Sequence, residues 1–143
     1  MGFAAVGIAI FLTWHHFNSP SSAMAGWTGD WDRAVVQSRA TGKPAVVLFT
    51  ADWCPACRQF ESETLGRSDV KKFLGANCTQ VIVDLTDRGG ENSRRAMEYN
   101  VRSIPTVLLF DESGREIARG HGMPADVFTQ WVTTGGKNVR FND

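Results

Sequence analysis

The sequence predicts an α/β domain in which a mixed central sheet carries helices on both of its faces. Two continuous apolar runs rich in β-branched residues, 45–51 and 79–85, are typical of buried central strands. Helical spacing between these runs predicts a parallel β-α-β half. A third apolar run, 106–110, is followed by a turn and another extended segment, which predicts an antiparallel hairpin.

Caps, breakers and hydrophobic spacing give the order of the elements. Asp30 suits the N-cap of a first helix that Gly42 ends, Asn100 suits a left-handed residue after a helix, and Pro124 suits a first helical position. The predicted order is a helix after Asp30, strand 45–51, a helix from 55, a helix from 68, strand 79–85, helix 91–99, strand 106–110, a turn at 111–114, strand 115–120 and a helix from 124.

Length and charge limit the function classes. A chain of 143 residues supports one core of ordinary size and leaves no room for a second full domain. Its 15 basic and 15 acidic side chains cancel. A nucleic-acid partner is therefore not expected, because phosphate binding requires clustered Lys and Arg.

Residues 1–25 are predicted to be a signal peptide or an N-terminal membrane anchor, and residues 26–143 to be the folded domain. The uncharged apolar run 2–12 is shorter than the about 20 residues that span a bilayer and is typical of a signal-peptide core. The small residues at 23 and 25 favour cleavage after Ala25. An uncleaved membrane tether through residues 2–14 and a buried N-terminal helix stay open. Cleaved or anchored, the domain is expected to be exported, to the periplasm in a Gram-negative cell.

The segment "WCPAC" places two thiols, Cys54 and Cys57, at the start of a predicted helix. Residues at i and i+3 on a helix lie roughly 5–6 Å apart, so both a dithiol and a disulfide are accessible. At the helix N-terminus, unpaired N–H groups and the helix dipole stabilise a thiolate and lower its pKa below about 8.5. We therefore expect Cys54 to attack or be attacked, and the inward-facing Cys57 to resolve the mixed disulfide.

The cysteine pair has two other interpretations, a structural disulfide and part of a zinc site. A structural disulfide would close so small a loop that it removes little entropy from the unfolded chain. A zinc site needs four ligands, and the further candidates in the domain, Cys78 and His121, have no familiar spacing. A C-x-x-C that joins a buried strand to a helix in a β-α-β unit favours redox chemistry. We expect no metal and no cofactor.

Four stretches resemble a known family: "GKPAVVLFTADWCPACRQFE", "VIVDLTD", "YNVRSIPTVLLFDESG" and "GHGMPADVFTQWV". They are similar to thioredoxin-like proteins, and within them to the exported C-terminal domain of DsbD-type thiol:disulfide interchange proteins and their single-domain relatives. The resemblance covers about residues 27–133. It implies a thioredoxin fold and a thiol:disulfide oxidoreductase activity.

The resemblance also implies substrate-binding residues. Pro105 occupies the position of the family's cis-proline, which lies against the Cys pair while the preceding backbone, at Ile104, pairs with substrate. Trp53 matches the aromatic residue before the nucleophile. From the residues alone, Pro105 would begin a strand with a trans bond, and Trp53 could be core filler.

One position departs from the family. Leu48 stands where these proteins usually carry a buried aspartate, a candidate proton acceptor for the resolving thiol. Glu61, four residues after Cys57, lies on the same helical face and matches an acidic residue of the DsbD-type domain. Our hypothesis is that Glu61 takes over as a catalytic proton acceptor, helped by Asp52. The alternative is an exposed helix carboxylate.

Two remaining side chains, Cys78 and His121, are expected to have no part in the chemistry. Cys78 precedes a predicted central strand, and free cysteine is among the most buried residue types, so we expect a small hydrophobe. Dimerisation or regulation through Cys78 stays open. His121 is expected in a surface loop after the last strand, without a role.

The sequence therefore predicts an exported, membrane-tethered reductase that exchanges disulfides with protein thiols and disulfides: client proteins and an upstream electron donor. The reductive direction is what the DsbD-type resemblance implies. Related folds with the same cysteine spacing range from about −270 to −120 mV, so a disulfide oxidant or isomerase is an alternative. A client-binding module without turnover is the second alternative, although binding needs neither sulfur.

Overall fold

The computed structural model describes residues 24–137, which form a four-stranded sheet flanked by five helices. The strands are β1 (Ala45–Thr50), β2 (Thr79–Asp84), β3 (Thr106–Phe110) and β4 (Glu116–His121). The helices are α1 (Trp31–Thr41), α2 (Pro55–Phe60) with a π-helical turn (Glu61–Leu65), α3 (Ser68–Asn77), α4 (Gly90–Glu98) and α5 (Ala125–Thr133).

The sheet is mixed, with the strand order β2-β1-β3-β4. The β1 strand is parallel to β2 and antiparallel to β3, and β3 pairs with β4 as an antiparallel hairpin. Every residue of β1 and β3 is buried, because these central strands are covered on both faces. The predicted mixed sheet, with its parallel half and its hairpin, is confirmed.

The prediction that β2 is a central strand is wrong. This strand lies at the edge of the sheet, and its burial alternates along the chain. Thr28 covers part of the open edge: its N–H donates to Gln80 O at 3.0 Å, and its carbonyl accepts from Ile82 N at 2.9 Å. The strand is apolar because its side chains pack on both faces of the sheet: Val81 and Val83 join one cluster, and Ile82 packs against the other.

The predicted caps are largely confirmed. The Asp30 carboxylate accepts a 3.0 Å hydrogen bond from a main-chain N–H in the first turn of α1. Gly42 and Asn100 both have positive φ, 66° and 52°, in the left-handed region. The helix α5 begins one residue later than predicted, so Pro124 is its N-cap rather than its first residue.

Two apolar clusters sandwich the sheet. On one face, α2, α3 and α5 pack against β1 and β3 through residues that include Phe60, Leu74 and Phe128. On the other face, α1 and α4 contribute Ala34 and Ala96. Burial of these apolar side chains is the main favourable contribution to the fold.

A π-helical turn ends the helix that follows the cysteines. Gly66 N donates to Glu61 O at 2.7 Å, five residues back, and the wider turn buries both Thr64 and Leu65. Cys57 faces the core as predicted, together with Phe60 and Leu65, whereas Ala56 is exposed although helical spacing alone would place it on the same face. The first turn of α2 lies at the end of the sheet, where no element covers Ala56.

The predicted signal peptide or anchor lies outside the described residues, except for Met24 and Ala25. Met24, which cleavage after Ala25 would remove, is buried in the cluster beside α3 and α5. Within residues 24–137, no helix has both the length and the apolar character needed to cross a membrane.

Cys78 is buried and free, as predicted. It lies just before β2 and joins the apolar cluster on the α3 face. Burial raises the pKa of its thiol to about 12, from an ordinary value near 9.

This raised pKa predicts a loss of stability at alkaline pH. The unfolded chain releases the Cys78 proton above about pH 9, whereas the folded chain keeps it until about pH 12, so rising pH favours unfolding in this window. Between pH 8 and pH 10, urea unfolding of the oxidised protein should show roughly 1 kcal/mol more loss of stability for wild type than for Cys78→Ala. Equal losses in the two proteins would contradict the burial of this thiol.

Candidate active site

The two cysteines lie where the chain passes from β1 into α2. Cys54 has extended backbone angles (φ −96°, ψ 106°) and is the N-cap of α2, with Pro55 as the first helical residue. The Cys54 Sγ accepts a 3.2 Å hydrogen bond from the N–H of Cys57. The two sulfurs are joined in a disulfide, with the Cα atoms 5.3 Å apart. The sequence predicted this placement of both thiols.

The pair is largely shielded from solvent, and unequally so. Cys54 retains 6% exposure, whereas Cys57 is fully buried. Both pack against Ala51, Leu85 and Ile104. An incoming sulfur therefore has access only at Cys54, and the buried partner lies one helical turn behind it.

The segment before β3 lies directly against Cys54. The Ile104–Pro105 peptide bond is cis, as the resemblance implied. The carbonyl oxygen of Ile104 is 3.8 Å from Cys54 Sγ. Fifty residues therefore separate two groups that touch in the fold, and the backbone of Ile104 lies beside the Cys54 sulfur.

Trp53 is not core filler. Its side chain is 59% exposed next to Cys54, and its Nε1 donates to Thr86 O at 3.3 Å. Thr86 also accepts a 2.8 Å hydrogen bond at Oγ1 from Asp52 N. Thr86 was not singled out from the sequence. The signal was its position just after β2, since parallel strands bring their carboxyl ends to one edge.

Glu61 is half-buried rather than fully exposed, so the interpretation as an exposed carboxylate is wrong. Its Oε1 accepts a 2.5 Å hydrogen bond from the Thr50 hydroxyl at the end of β1. Leu48, at the position where the resemblance implies an aspartate, is fully buried in the apolar cluster. The side chain of Asp52 is exposed, and its backbone carbonyl accepts from Arg58 at 2.9 Å.

The expectation that His121 lies in a loop is wrong. His121 is the last residue of β4 and pairs with Thr106. Its Nδ1 lies 3.3 Å from Pro105 O and 3.5 Å from Thr106 Oγ1. The sequence prediction missed this contact because it depends on the β3–β4 register, which ends the strand one residue later than expected.

A groove of about 830 Å³ opens beside the disulfide. Its lining near the cysteines comes from Ala56, Phe60, Pro105, Gly122 and Met123. A Cβ atom at Gly122 would lie 3.4 Å from the Pro105 ring and 3.7 Å from Phe60 Cβ. Glycine therefore leaves open the space between these two side chains in the groove. Neither cysteine lines the groove, which reaches their neighbourhood through Ala56 and Pro105.

No group of three or more His, Cys, Asp or Glu side chains in the described part of the chain is arranged to hold a metal ion. The arrangement is instead suited to sulfur exchange. A thiolate at Cys54 would keep the hydrogen bond from Cys57 N, and N–H groups at a helix start stabilise negative charge.

Solved structures with the same fold include the DsbH oxidoreductase, with a TM-score of 0.69 and 23% identity over 85% of this chain and 92% of that chain. A thioredoxin from Thermus thermophilus matches with a TM-score of 0.64 and 24% identity, over 75% of this chain and 86% of that chain. The reduced DsbD C-terminal domain from Neisseria meningitidis gives a TM-score of 0.64 and 22% identity, over 75% and 97%. These matches confirm the thioredoxin fold.

Curated relatives named thiol:disulfide interchange protein DsbD are similar in sequence. The protein from Actinobacillus pleuropneumoniae serotype 5b is 31% identical over 150 residues, which cover 90% of this chain and 26% of the relative. That from Yersinia pestis strain Pestoides F is 38% identical over 82 residues, or 57% of this chain and 14% of the relative. This chain therefore spans about a quarter or less of the length of these relatives.

The family model described as a thioredoxin-like domain matches residues 31–136, which include β1 to β4, α1 to α5 and the cysteine pair. The chain belongs to the thioredoxin-like domain family.

Proposed function

We propose that this protein is a thiol:disulfide oxidoreductase that exchanges disulfides with other proteins through Cys54 and Cys57. The observation that carries the proposal is the hydrogen bond from Cys57 N to the Sγ of Cys54 at the start of α2. It stabilises the sulfur as a thiolate, which is the reactive form in exchange. The similarity to proteins named for thiol:disulfide interchange supports the same activity.

In the reductive direction, the reaction has two steps. The Cys54 thiolate attacks one sulfur of a client disulfide and releases the other as a thiolate, which takes a proton from water. Cys57 then attacks Cys54 Sγ, frees the second client thiol and forms the Cys54–Cys57 disulfide. The client gains two electrons and two protons. An upstream protein thiol donor must reduce the disulfide again before the next cycle.

Client binding is assigned to the surface around the cis bond. The backbone of Ile104 offers strand-like pairing beside Cys54, and Pro105 begins the adjoining groove. The exposed ring of Trp53 provides apolar contact area on the other side of the sulfur. An extended client segment placed here would bring its disulfide onto Cys54.

Proton transfer in the second step is assigned to Glu61. Cys57 is fully buried, so its thiol requires a proton acceptor within the fold. Glu61 follows one helical turn later, and its N–H donates to the carbonyl of Cys57. Side chains at i and i+4 are neighbours on a helix, and from this spacing we infer that the Glu61 carboxylate can reach the Cys57 sulfur.

The reductive direction and an exported, membrane-tethered location in the cell envelope complete the proposal. The DsbD-type resemblance supports the reductive direction, and the resemblance together with the apolar run at residues 2–12 supports the location. The alternative of a client-binding module is disfavoured because binding in the groove would need neither sulfur.

Catalysed insulin reduction tests the activity. With dithiothreitol as the electron donor, wild type should accelerate insulin precipitation, and Cys54→Ser should fall to the uncatalysed rate because the attacking sulfur is absent. Turbidity recorded over time provides the measurement. Equal rates for the two proteins would favour the binding module.

Removal of the resolving thiol should trap partners. In Cys57→Ser the second step is blocked, so mixed disulfides should accumulate on Cys54 in cells and dissolve on reduction. Non-reducing electrophoresis followed by mass spectrometry identifies the clients and the electron donor. The double variant Cys54→Ser, Cys57→Ser is the control for adducts on Cys78, and equal adducts in both would contradict the assigned roles.

Loss of the Glu61 carboxylate should slow resolution. When the reduced protein is mixed with excess dithiobis(nitrobenzoate), Cys54 attacks the reagent and displaces the first thionitrobenzoate. Cys57 then attacks the mixed disulfide on Cys54 and displaces the second. Glu61→Gln should slow the second release at least about tenfold near pH 7, because general bases contribute about 10²–10⁴ to proton transfers. Stopped-flow absorbance measures both phases. Glu63→Gln, an exposed carboxylate two residues away, is the matched control, and an unchanged second phase in Glu61→Gln would exclude Glu61 from the mechanism.

A further inference from the structure

Among the residues that the structure describes, few buried side chains are polar, and none of these is charged. They are Ser38, Thr50, Thr64, Thr79 and Thr106. Thr50 differs from the others in its partner: its hydroxyl donates to the Glu61 carboxylate at 2.5 Å. Ser38 and Thr64 instead donate to main-chain carbonyls, at 2.6 and 2.7 Å.

The chemistry of the two groups fixes the direction of this bond. A threonine hydroxyl has one proton to give, and Thr50 gives it to Glu61 Oε1. This hydrogen bond therefore holds the Glu61 side chain against the end of β1 in one orientation.

The position of Thr50 on β1 relates this bond to Leu48. Residues i and i+2 of a strand point to the same face, so Leu48 and Thr50 both face α2. Leu48 is fully buried among apolar side chains and offers no proton acceptor. Two residues further along the same face, Thr50 holds a carboxylate that α2 and its π-helical turn supply.

We propose that Thr50 is a positioning residue, and that its hydrogen bond holds the Glu61 carboxylate beside Cys57 for the resolving step. The inference rests on the proposed function, and assigns to it a residue outside the cysteine pair and the client groove. The strand in this chain positions a carboxylate carried by the helix, whereas the resemblance implies a strand that carries the carboxylate itself at position 48.

In the resolving step, the Cys57 thiol gives its proton to Glu61, and the resulting thiolate attacks Cys54 Sγ in the mixed disulfide. The Cys54–Cys57 bond forms as the bond from Cys54 to the client sulfur breaks, and the client leaves as a thiolate. Glu61 then passes its proton to water. Thr50 donates its hydrogen bond throughout and exchanges no electrons.

The test compares two substitutions of Thr50 in the dithiobis(nitrobenzoate) experiment described above. Thr50→Val keeps the shape and removes the hydroxyl, and Thr50→Ser keeps the hydroxyl. Thr50→Val should slow the second release about tenfold near pH 7 and move its pH profile to higher pH, whereas the first release should be unchanged. Thr50→Ser should retain the second release and the pH profile of wild type.

Thr64→Val is the matched control. Thr64 is equally buried and its hydroxyl donates to Met123 O, so the substitution costs a buried hydrogen bond without touching Glu61. It should lower the melting temperature and leave the pH profile unchanged. If Thr50→Val does not fold, Thr50→Ser decides: a slowed second release in that folded variant would overturn the proposal.

Three further outcomes are distinguishable. A wild-type pH profile in Thr50→Val would overturn the positioning role, even if Glu61→Gln is slow. Equal slowing in Thr50→Val and Thr50→Ser would also overturn it, because a hydroxyl would then not suffice. Failure of wild type to reduce insulin would instead contradict the proposed function, whatever the Thr50 variants do.

Discussion

The chemistry of this protein depends on the hydrogen bond between Cys57 N–H and Cys54 Sγ at the start of α2. That bond exists because Cys54 is the N-cap, where a side chain replaces the missing intrahelical acceptor. The same geometry directs Cys57 into the interior, one turn deeper. One local arrangement therefore separates an accessible sulfur from a shielded one, which is the asymmetry that ordered exchange requires.

The rest of the fold holds this arrangement rigid. Phe60 and Leu65 bury the helix and its π-helical turn against the sheet, and the cis segment at Ile104 closes over Cys54 from the opposite side. The half-buried Glu61 is fixed from the strand through Thr50. Protein interiors are closely packed, so small displacements of the helix would disturb the sulfur geometry and the Thr50–Glu61 hydrogen bond together.

Much of the fold followed from local patterns. Asp30, Gly42 and Asn100 have the predicted conformations because caps and left-handed residues depend on a few neighbouring backbone groups. The edge position of β2 did not follow, since an apolar run looks the same in a central strand and in an edge strand paired with Thr28. The exposure of Ala56 likewise depends on what packs over α2 and not on its helical spacing.

By itself, the sequence determined the reactive pair: C-x-x-C between a buried strand and a helix specifies an N-cap thiol and an inner thiol, and both are local properties. Only the tertiary structure decided which groups surround the pair. The contacts of Cys54 with Ile104, of His121 with Pro105 and of Thr50 with Glu61 join residues 50, 16 and 11 positions apart. Such contacts depend on strand register and helix docking, which hydrophobic periodicity does not encode.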